Sequence, residues 1–267
     1  MLRHTFVHVP GVGEKRERDL WRRGFTDWDA LRRLHPPGPW RELIVSRLDE
    51  EIAARALPRR EAWRLATEFP GRTLFLDIET TGLSFEKDSV TCVGISDGAG
   101  AAAYVRGENL ERFPEALEGI ELLITYNGSM FDIPVLQRAF PDVPFSRFHH
   151  IDLRFPLHRL GVKGGLKGAE RQLGLARPDE IQGVDGYTAV LLWRAHRAGA
   201  PNALETLLRY CLEDVVNLKP LLAVVYNRLT ADLPIEVPRI EDDARPAVPY
   251  RADAKLVRSL LGLSESE

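Results

Sequence analysis

Residues 73–79 read Thr73-Leu74-Phe75-Leu76-Asp77-Ile78-Glu79. Its apolar run is typical of a buried β-strand, and the two carboxylates come at the end of that run. Side chains two residues apart on a strand leave the same face of a sheet. Asp77 and Glu79 are therefore predicted to share one face at the end of a buried strand, where both can bind the same metal ion.

Two further segments carry acids in a similar setting. They read Tyr126-Asn127-Gly128-Ser129-Met130-Phe131-Asp132 and Tyr210-Cys211-Leu212-Glu213-Asp214. The second of them lies in a helical stretch, residues 203–218, where side chains four apart stack on one face. Tyr210 and Asp214 are therefore predicted to point toward the same place.

Four carboxylates in one site repel one another and resist ionisation, so such a site needs compensating cations. Mg²⁺ or Mn²⁺ fits because these hard cations take oxygen ligands, and two divalent ions would balance the four charges. Two such ions, roughly 3.5 to 4 Å apart, can activate a water and stabilise the leaving oxygen during displacement at phosphorus. The residues therefore predict hydrolysis of a phosphodiester.

The three segments resemble the exonuclease motifs of the DnaQ-like family, within the ribonuclease-H-like superfamily, over residues 72–229. The second segment is most similar to those of family-B DNA polymerases, and the order of parts is similar to that of the YprB-like stand-alone proteins. The resemblance implies an α/β fold with a mixed five-stranded sheet flanked by helices. It also implies a 3′–5′ exonuclease that binds the 3′ end of DNA or RNA.

The presence of Tyr210, with Arg at position 209, places the resemblance with the tyrosine (DEDDy) branch of the family. The resemblance implies that Asp77, Glu79 and Asp214 hold one ion, and that Asp77 and Asp132 hold the other. Tyr210 would orient the attacking water, because a phenol with a pKa near ~10 is a poor base at neutral pH.

Each motif taken singly has an ordinary structural explanation. Asp77 and Glu79 could end a solvated strand, Asp132 could begin a helix, and Tyr210 with Asp214 could be an amphipathic pair. Their occurrence together favours an active site. The alternative is a non-catalytic nucleic-acid-binding or scaffold protein that retains the fold. DNA and RNA are not distinguished, since recognition of the 2′-hydroxyl depends on pocket shape.

A glycine hairpin near the N-terminus is the second informative feature. Gly11 and Gly13 flank Val12, and a helix is predicted to follow, so that backbone N–H groups near Lys15 could meet a phosphate. The stretch resembles a helix-hairpin-helix module, which implies sequence-independent contact with the DNA backbone through Gly11, Gly13 and Lys15. The alternative is a helical hairpin that docks onto protein.

Three other residues are candidates for contact with nucleic acid. Asn127 is implied by the resemblance to help hold the substrate strand, and a strand-end turn is its alternative role. Lys163 and Lys167 lie in a glycine-rich stretch, residues 161–168, that could face a phosphate backbone or simply join two helices. Asp152 is interpreted as an acid that supports a metal ligand or caps a helix, in preference to being a metal ligand itself.

The organisation predicted from these patterns has four parts. Residues 1–36 form a small all-α module, 37–70 a helical linker with a break at His35 to Pro39, 71–229 the exonuclease domain, and 230–267 a C-terminal tail with a short helix. Within the third part, three strands precede an alternation of strands and helices, which predicts a mixed sheet.

Composition sets the remaining expectations. The 267 residues carry a net charge of −3 and include two cysteines, Cys92 and Cys211, both in apolar stretches. Reduced buried thiols indicate a cytoplasmic protein. The sequence shows no N-terminal apolar leader and no uncharged apolar run of 18 residues, so no membrane contact is expected.

Overall fold

The computed structural model describes residues 1–34, 40–82, 84, 87–175, 177–181, 183–241 and 245–263, so the break predicted at residues 35–39 lies outside the described residues. Five strands are described: β1 (Thr73–Thr80), β2 (Val90–Ser96), β3 (Ala101–Val105), β4 (Leu122–Thr125) and β5 (His149–Asp152). The helices are α1 (Glu14–Arg22), α2 (Trp28–Leu34), α3 (Trp40–Val45), α4 (Glu50–Ala56), α5 (Asp132–Ala139), α6 (Arg154–Arg159), α7 (Gly165–Leu173), α8 (Gly186–Arg197), α9 (Ala203–Val216), α10 (Leu218–Ala231) and α11 (Ala254–Leu260).

The strands form one mixed sheet in the order β3-β2-β1-β4-β5. β1 lies at its centre, antiparallel to β2 and parallel to β4, and β5 extends the parallel half. Helices cover both faces, because side chains of alternate β1 residues enter different apolar clusters: Leu76 packs with α5, and Phe75 packs with α10. The predicted mixed five-stranded sheet flanked by helices is confirmed.

Local contacts and proline decide the form of several helical segments. The predicted helical linker contains α3 and α4 as separate helices, because Asp49 accepts a hydrogen bond from the N–H of Ile52 at 3.0 Å and starts a new helix there. The stretches at Arg59–Leu65 and Leu110–Leu117 are 3₁₀ helices, and the second contains Pro114. Asp27 caps α2, since its carboxylate accepts a hydrogen bond from the N–H of Ala30 at 2.6 Å.

The N-terminal segment, residues 1–34, shares a core with the rest of the chain. Phe6, Trp21 and Leu31 of this segment belong to the same buried apolar cluster as Leu122 of β4 and Val225 of α10. Removal of that much apolar surface from water stabilises the contact strongly. The segment is therefore packed against the sheet-bearing body.

A buried ion-pair cluster joins the same two parts. Arg64 is 1% exposed, and its guanidinium lies 2.7 Å from Glu17 of α1 and 2.9 Å from Glu61. Glu17 also accepts the backbone N–H of Phe6 at 2.6 Å. Buried charges are tolerated when they are paired and hydrogen-bonded in this way. The cluster of Glu17, Glu61 and Arg64 therefore fixes α1 to the 3₁₀ helix at Arg59–Leu65.

In the described part of the chain, no helix has both the length and the apolar character that crossing a bilayer requires.

Candidate active site

The end of β1 carries the first pair of candidate ligands. Asp77 pairs with Gly94 and Glu79 pairs with Cys92 in the antiparallel ladder with β2, and the regular pairing shifts between Glu79 and Thr80. Because Asp77 and Glu79 are two residues apart on a strand, they leave the same face of the sheet. Glu79 is buried and Asp77 is half-buried, so both lie at the edge of the core.

Helix α9 lies across the same face, and a glycine permits its close approach. A Cβ atom on Gly94 would come within 2.8 Å of the Sγ of Cys211 and 3.0 Å of a methyl carbon of Val215. Real Cβ atoms do not make contacts this short, so a larger residue at position 94 would push α9 away from the sheet. Tyr210 and Asp214, one helical turn apart on α9, are thereby brought to the face that bears Asp77 and Glu79.

Asp132 reaches the site from the other side of β1. It is the first residue of α5 and is 4% exposed. Together with Asp77 it lines a cleft of about 450 Å³, which we call the active-site cleft. Its remaining lining residues are Ile78, Tyr126, Asn127, Phe131, Arg154, His158 and Gly165.

The carboxylates are not all equally close. Among the described residues, the one group of three or more potential metal ligands consists of Asp77, Glu79 and Cys211, whose ligand atoms lie within 4.8 Å of one another. Asp132 and Asp214 are outside that group. The structure thus brings together Asp77 and Glu79 as predicted, and it places the thiol of Cys211 beside them.

Asp214 is held by a cation. Its Oδ1 forms an ion pair with Nη2 of Arg177, and Arg177 also donates from Nη2 to Glu170 at 2.7 Å. The same Oδ1 is buried without a hydrogen bond of good geometry, so the ion pair satisfies it incompletely. A divalent ion would complete the contacts of this oxygen, and the oxygen-rich ligand set fits Mg²⁺ or Mn²⁺.

The electrostatics also favour cation binding. Burial raises the pKa of Asp77 well above its ordinary value, and the charges of Asp132, Asp214 and Glu79 raise it further. Burial likewise raises the pKa of Glu79 well above its ordinary value. For Asp132, burial and the nearby carboxylates outweigh hydrogen bonds from backbone N–H groups and raise the pKa to about 7. Positive charge that enters the site therefore makes these acids ionise more readily.

Tyr210 is 4% exposed and touches a lysine that lies beyond the three motifs. Nζ of Lys167 lies 2.8 Å from the phenolic oxygen and 4.6 Å from the ring centroid, and it also donates to the carbonyl of Val184. An ammonium group can only donate, so the phenolic oxygen accepts and its own proton remains for another acceptor. Burial and the neighbouring carboxylates raise the pKa of Tyr210 well above its ordinary value, so the phenol stays protonated.

The other predicted nucleic-acid contacts occupy different settings. Asn127 has a left-handed backbone with φ of +65°, and its side chain lines the active-site cleft. Lys163 is exposed in the turn between α6 and α7. Lys167 is partly buried against Tyr210, so its contact with nucleic acid stays a prediction.

The glycine hairpin is present with its tip exposed. Gly11 has φ of +81°, Gly13 is the N-cap residue of α1, and both are exposed together with Lys15. Val12 between the glycines is 5% exposed and packs into the core. DNA contact by Gly11, Gly13 and Lys15 remains a prediction.

Sequence reasoning missed Gly94, Arg177 and Arg154. Gly94 interrupts the apolar strand β2 without a turn, which is a recognisable sign of close backbone approach. Arg177 and Arg154 stand in segments with no chemical motif, and only the fold brings them to the acids.

More than half of the chain matches a known protein family. Residues 74–226 match the family described as the RNase_H superfamily. No curated protein is significantly similar to the chain in sequence. Among solved structures, the chain is similar to a family B DNA polymerase from the hyperthermophilic archaeon Pyrobaculum calidifontis, with 18% identity and a TM-score of 0.44. That match covers 61% of this chain and 25% of the polymerase, so the chain spans about a quarter of the polymerase's length. The family match covers more than half of the sequence, and the chain therefore belongs to the RNase_H superfamily.

Proposed function

We propose that this chain is a metal-dependent 3′–5′ exonuclease that hydrolyses phosphodiester bonds of DNA or RNA. The observation that carries the proposal is the approach of α9 to β1 across Gly94, which sets Tyr210 and Asp214 against Asp77 and Glu79. The 3′–5′ direction is an implication of the motif resemblance.

Asp77, Glu79 and Asp214 would hold one Mg²⁺ or Mn²⁺ ion, and Asp77 with Asp132 would hold the second. Two such ions, when bound, supply an activated water and stabilise the leaving oxygen of a phosphodiester. The raised pKa values of Asp77, Glu79 and Asp132 support this assignment, because crowded buried acids are a costly arrangement that cations relieve.

Tyr210 would hold the attacking water. Its pKa is raised, so it keeps its proton and acts as a hydrogen-bond donor to that water instead of removing a proton from it. Lys167 supports this role because its Nζ, 2.8 Å from the phenolic oxygen, fixes the position of the hydroxyl group. Lys167 would therefore be a positioning residue for Tyr210.

Cleavage of labelled strands tests the proposal. Single-stranded DNA, duplex DNA and RNA, labelled at the 5′ end, are incubated with purified protein in Mn²⁺ or Mg²⁺, and successive shortening from the 3′ end is expected. EDTA and the Asp77→Asn variant should each abolish cleavage, while the exposed Asp142→Asn variant serves as the matched control and should cleave normally. Near-normal rates for Asp77→Asn would refute the assignment.

Calorimetry separates the proposal from its alternative, a non-catalytic binding or scaffold protein. The wild-type chain should take up Mn²⁺ and the Asp77→Asn variant should lose most of that affinity. Absence of Mn²⁺ uptake by the wild-type chain would favour the scaffold.

A further inference from the structure

Arg154 lines the active-site cleft but belongs to none of the three motifs. It is the first residue of α6, which begins two residues after the end of β5. Asp77 and Asp132, two of the proposed metal ligands, line the same cleft. The cleft thus contains a guanidinium as well as carboxylates.

One buried carboxylate fixes both the backbone of Arg154 and the turn that faces it. Asp152 is 4% exposed and accepts the N–H of Arg154 at 3.1 Å. It also accepts the N–H of Asn127 at 2.7 Å and both the N–H and the hydroxyl of Ser129, at 3.1 and 2.6 Å. Asp152 therefore links the start of α6 to the second motif, and the N-cap residue of α6 is Leu153 instead of the predicted Asp152.

The side chain of Arg154 is held as well. Its Nη1 donates to Oδ1 of Asn127 at 2.5 Å. Asn127 has a left-handed backbone conformation, which asparagine adopts more often than most other non-glycine residues. The guanidinium has five N–H donors, and this bond uses one of them.

Among the described residues, no internal acid neutralises the positive charge of Arg154. In the part of the chain that the structure describes, no carboxylate forms an ion pair with it, whereas Arg64, Arg159 and Arg177 each pair with two carboxylates. Arg154 is also exposed to solvent. A planar guanidinium of this kind binds phosphate with two parallel hydrogen bonds.

We infer that Arg154 binds a backbone phosphate of the substrate strand and that Asn127 positions its guanidinium for this contact. The inference rests on the proposed function. The phosphate is a neighbour of the cleaved one, because the cleaved group belongs at the carboxylates and their ions. Since phosphates carry no base identity, this contact orients the strand without selecting its sequence.

Kinetics on single-stranded DNA provide the first test. The Arg154→Ala variant should raise KM by about tenfold and change kcat by less than about threefold, because a charge-assisted contact to a remote phosphate is made equally in the ground and transition states. Arg154→Lys should recover part of the loss. Arg112→Ala removes an exposed arginine outside the cleft and should behave as wild type.

Neutral phosphate analogues locate the contact. A set of strands is made, each with one uncharged methylphosphonate linkage near the 3′ end. One position should reduce kcat/KM of the wild type by about tenfold and that of Arg154→Ala by less than about twofold, since the two changes remove the same interaction. Equal sensitivity of both proteins at every position would overturn the inference.

Binding measured without cleavage separates this inference from the proposed function. Fluorescence anisotropy with a labelled strand and Ca²⁺ should show weaker binding by Arg154→Ala and a slope of log K against log salt smaller by about 0.7. If the wild type cleaves nothing but this difference is found, the inference stands and the exonuclease proposal fails. If the wild type cleaves and Arg154→Ala matches it in KM, binding and salt slope, the inference fails alone. Absence of strand binding by the wild type refutes both.

Discussion

Raising the pH of the metal-free protein from 5 to 8 should destabilise it through Asp132. In the folded chain, burial first and nearby carboxylates second raise the pKa of Asp132 to about 7 from an ordinary 3.8. Between these two values the folded state keeps a proton that the unfolded state releases. Stability is therefore highest below the unfolded pKa, falls as the pH rises through the folded pKa of about 7, and stops falling about one pH unit above it.

The size of the effect follows from the interval crossed. Between pH 5 and pH 8 the difference in proton binding between the folded and unfolded states is equivalent to one proton over about two pH units, which corresponds to a loss of about 3 kcal/mol in the free energy of unfolding. Asp77 and Glu79 also have raised pKa values and act in the same direction. Buried His149 and partly buried His150 have lowered pKa values, so they oppose the trend on the acid side.

Comparison with the Asp132→Asn variant separates the contribution of Asp132 to the pH dependence of stability from the contributions of these other groups. Urea unfolding in EDTA at pH 5, 6, 7 and 8 should show wild type losing about 3 kcal/mol relative to this isosteric variant. Addition of Mn²⁺ should reverse the trend for the wild type, because an ion that binds only the folded state stabilises it more as its ligands ionise. Parallel pH profiles for the two proteins in EDTA would refute the account of a crowded carboxylate site.

Other variants test other parts of the molecule. Tyr210→Phe should slow cleavage by about 10- to 100-fold with Mn²⁺ affinity unchanged, as measured by single-turnover kinetics and calorimetry, and complete loss of activity would indicate a general base instead. Arg64→Met should lower the free energy of unfolding by about 3 to 5 kcal/mol because it leaves buried acids unpaired, whereas exposed Arg60→Met should change it by less than about 0.5 kcal/mol. Equal urea midpoints for Arg64→Met and Arg60→Met would contradict the stabilising role of Arg64 as the partner of buried acids. Lys15→Ala should weaken duplex binding and lower its salt slope by about 0.9, while cleavage of a short single strand is unchanged; an unaltered slope would indicate that the hairpin serves packing alone.

The predictable parts of the fold are segments whose own sequence has a clear pattern of apolar residues. β1 is an apolar run closed by acids, and α9 repeats apolar residues at helical spacing, so each could be assigned from local sequence. The shared face of Asp77 and Glu79 follows from strand geometry alone, without knowledge of the neighbours.

β5 was not predictable because it is short and polar. His149 and His150 interrupt its apolar character, and tertiary contacts provide what the local sequence lacks: His149 stacks on Phe69 with ring centroids 4.8 Å apart, and His150 lies 2.9 Å from the hydroxyl of Thr125. Such contacts join residues far apart in the chain, and no periodicity within a segment reveals them.

The sequence predicts which acids form the site. It does not predict the residues that contact those acids. The pairing of Asp214 with Arg177, the contact of Lys167 with Tyr210 and the approach of Cys211 to Gly94 each depend on where loops and helices meet. These contacts decide which acid is available to an ion, and they are set by packing between elements.

The buried pairing of Arg64 with Glu17 has a consequence for long substrates. Because the N-terminal segment cannot lift from the body without exposing a cation that the core now hides, the glycine hairpin and the active-site cleft keep a fixed separation. If the hairpin binds the duplex part of a tailed DNA, the fixed distance between the hairpin and the active-site cleft would determine how much of the tail can be removed. Digestion of the single-stranded tail would then stop at a length set by the protein, and that length would not depend on the sequence of the tail.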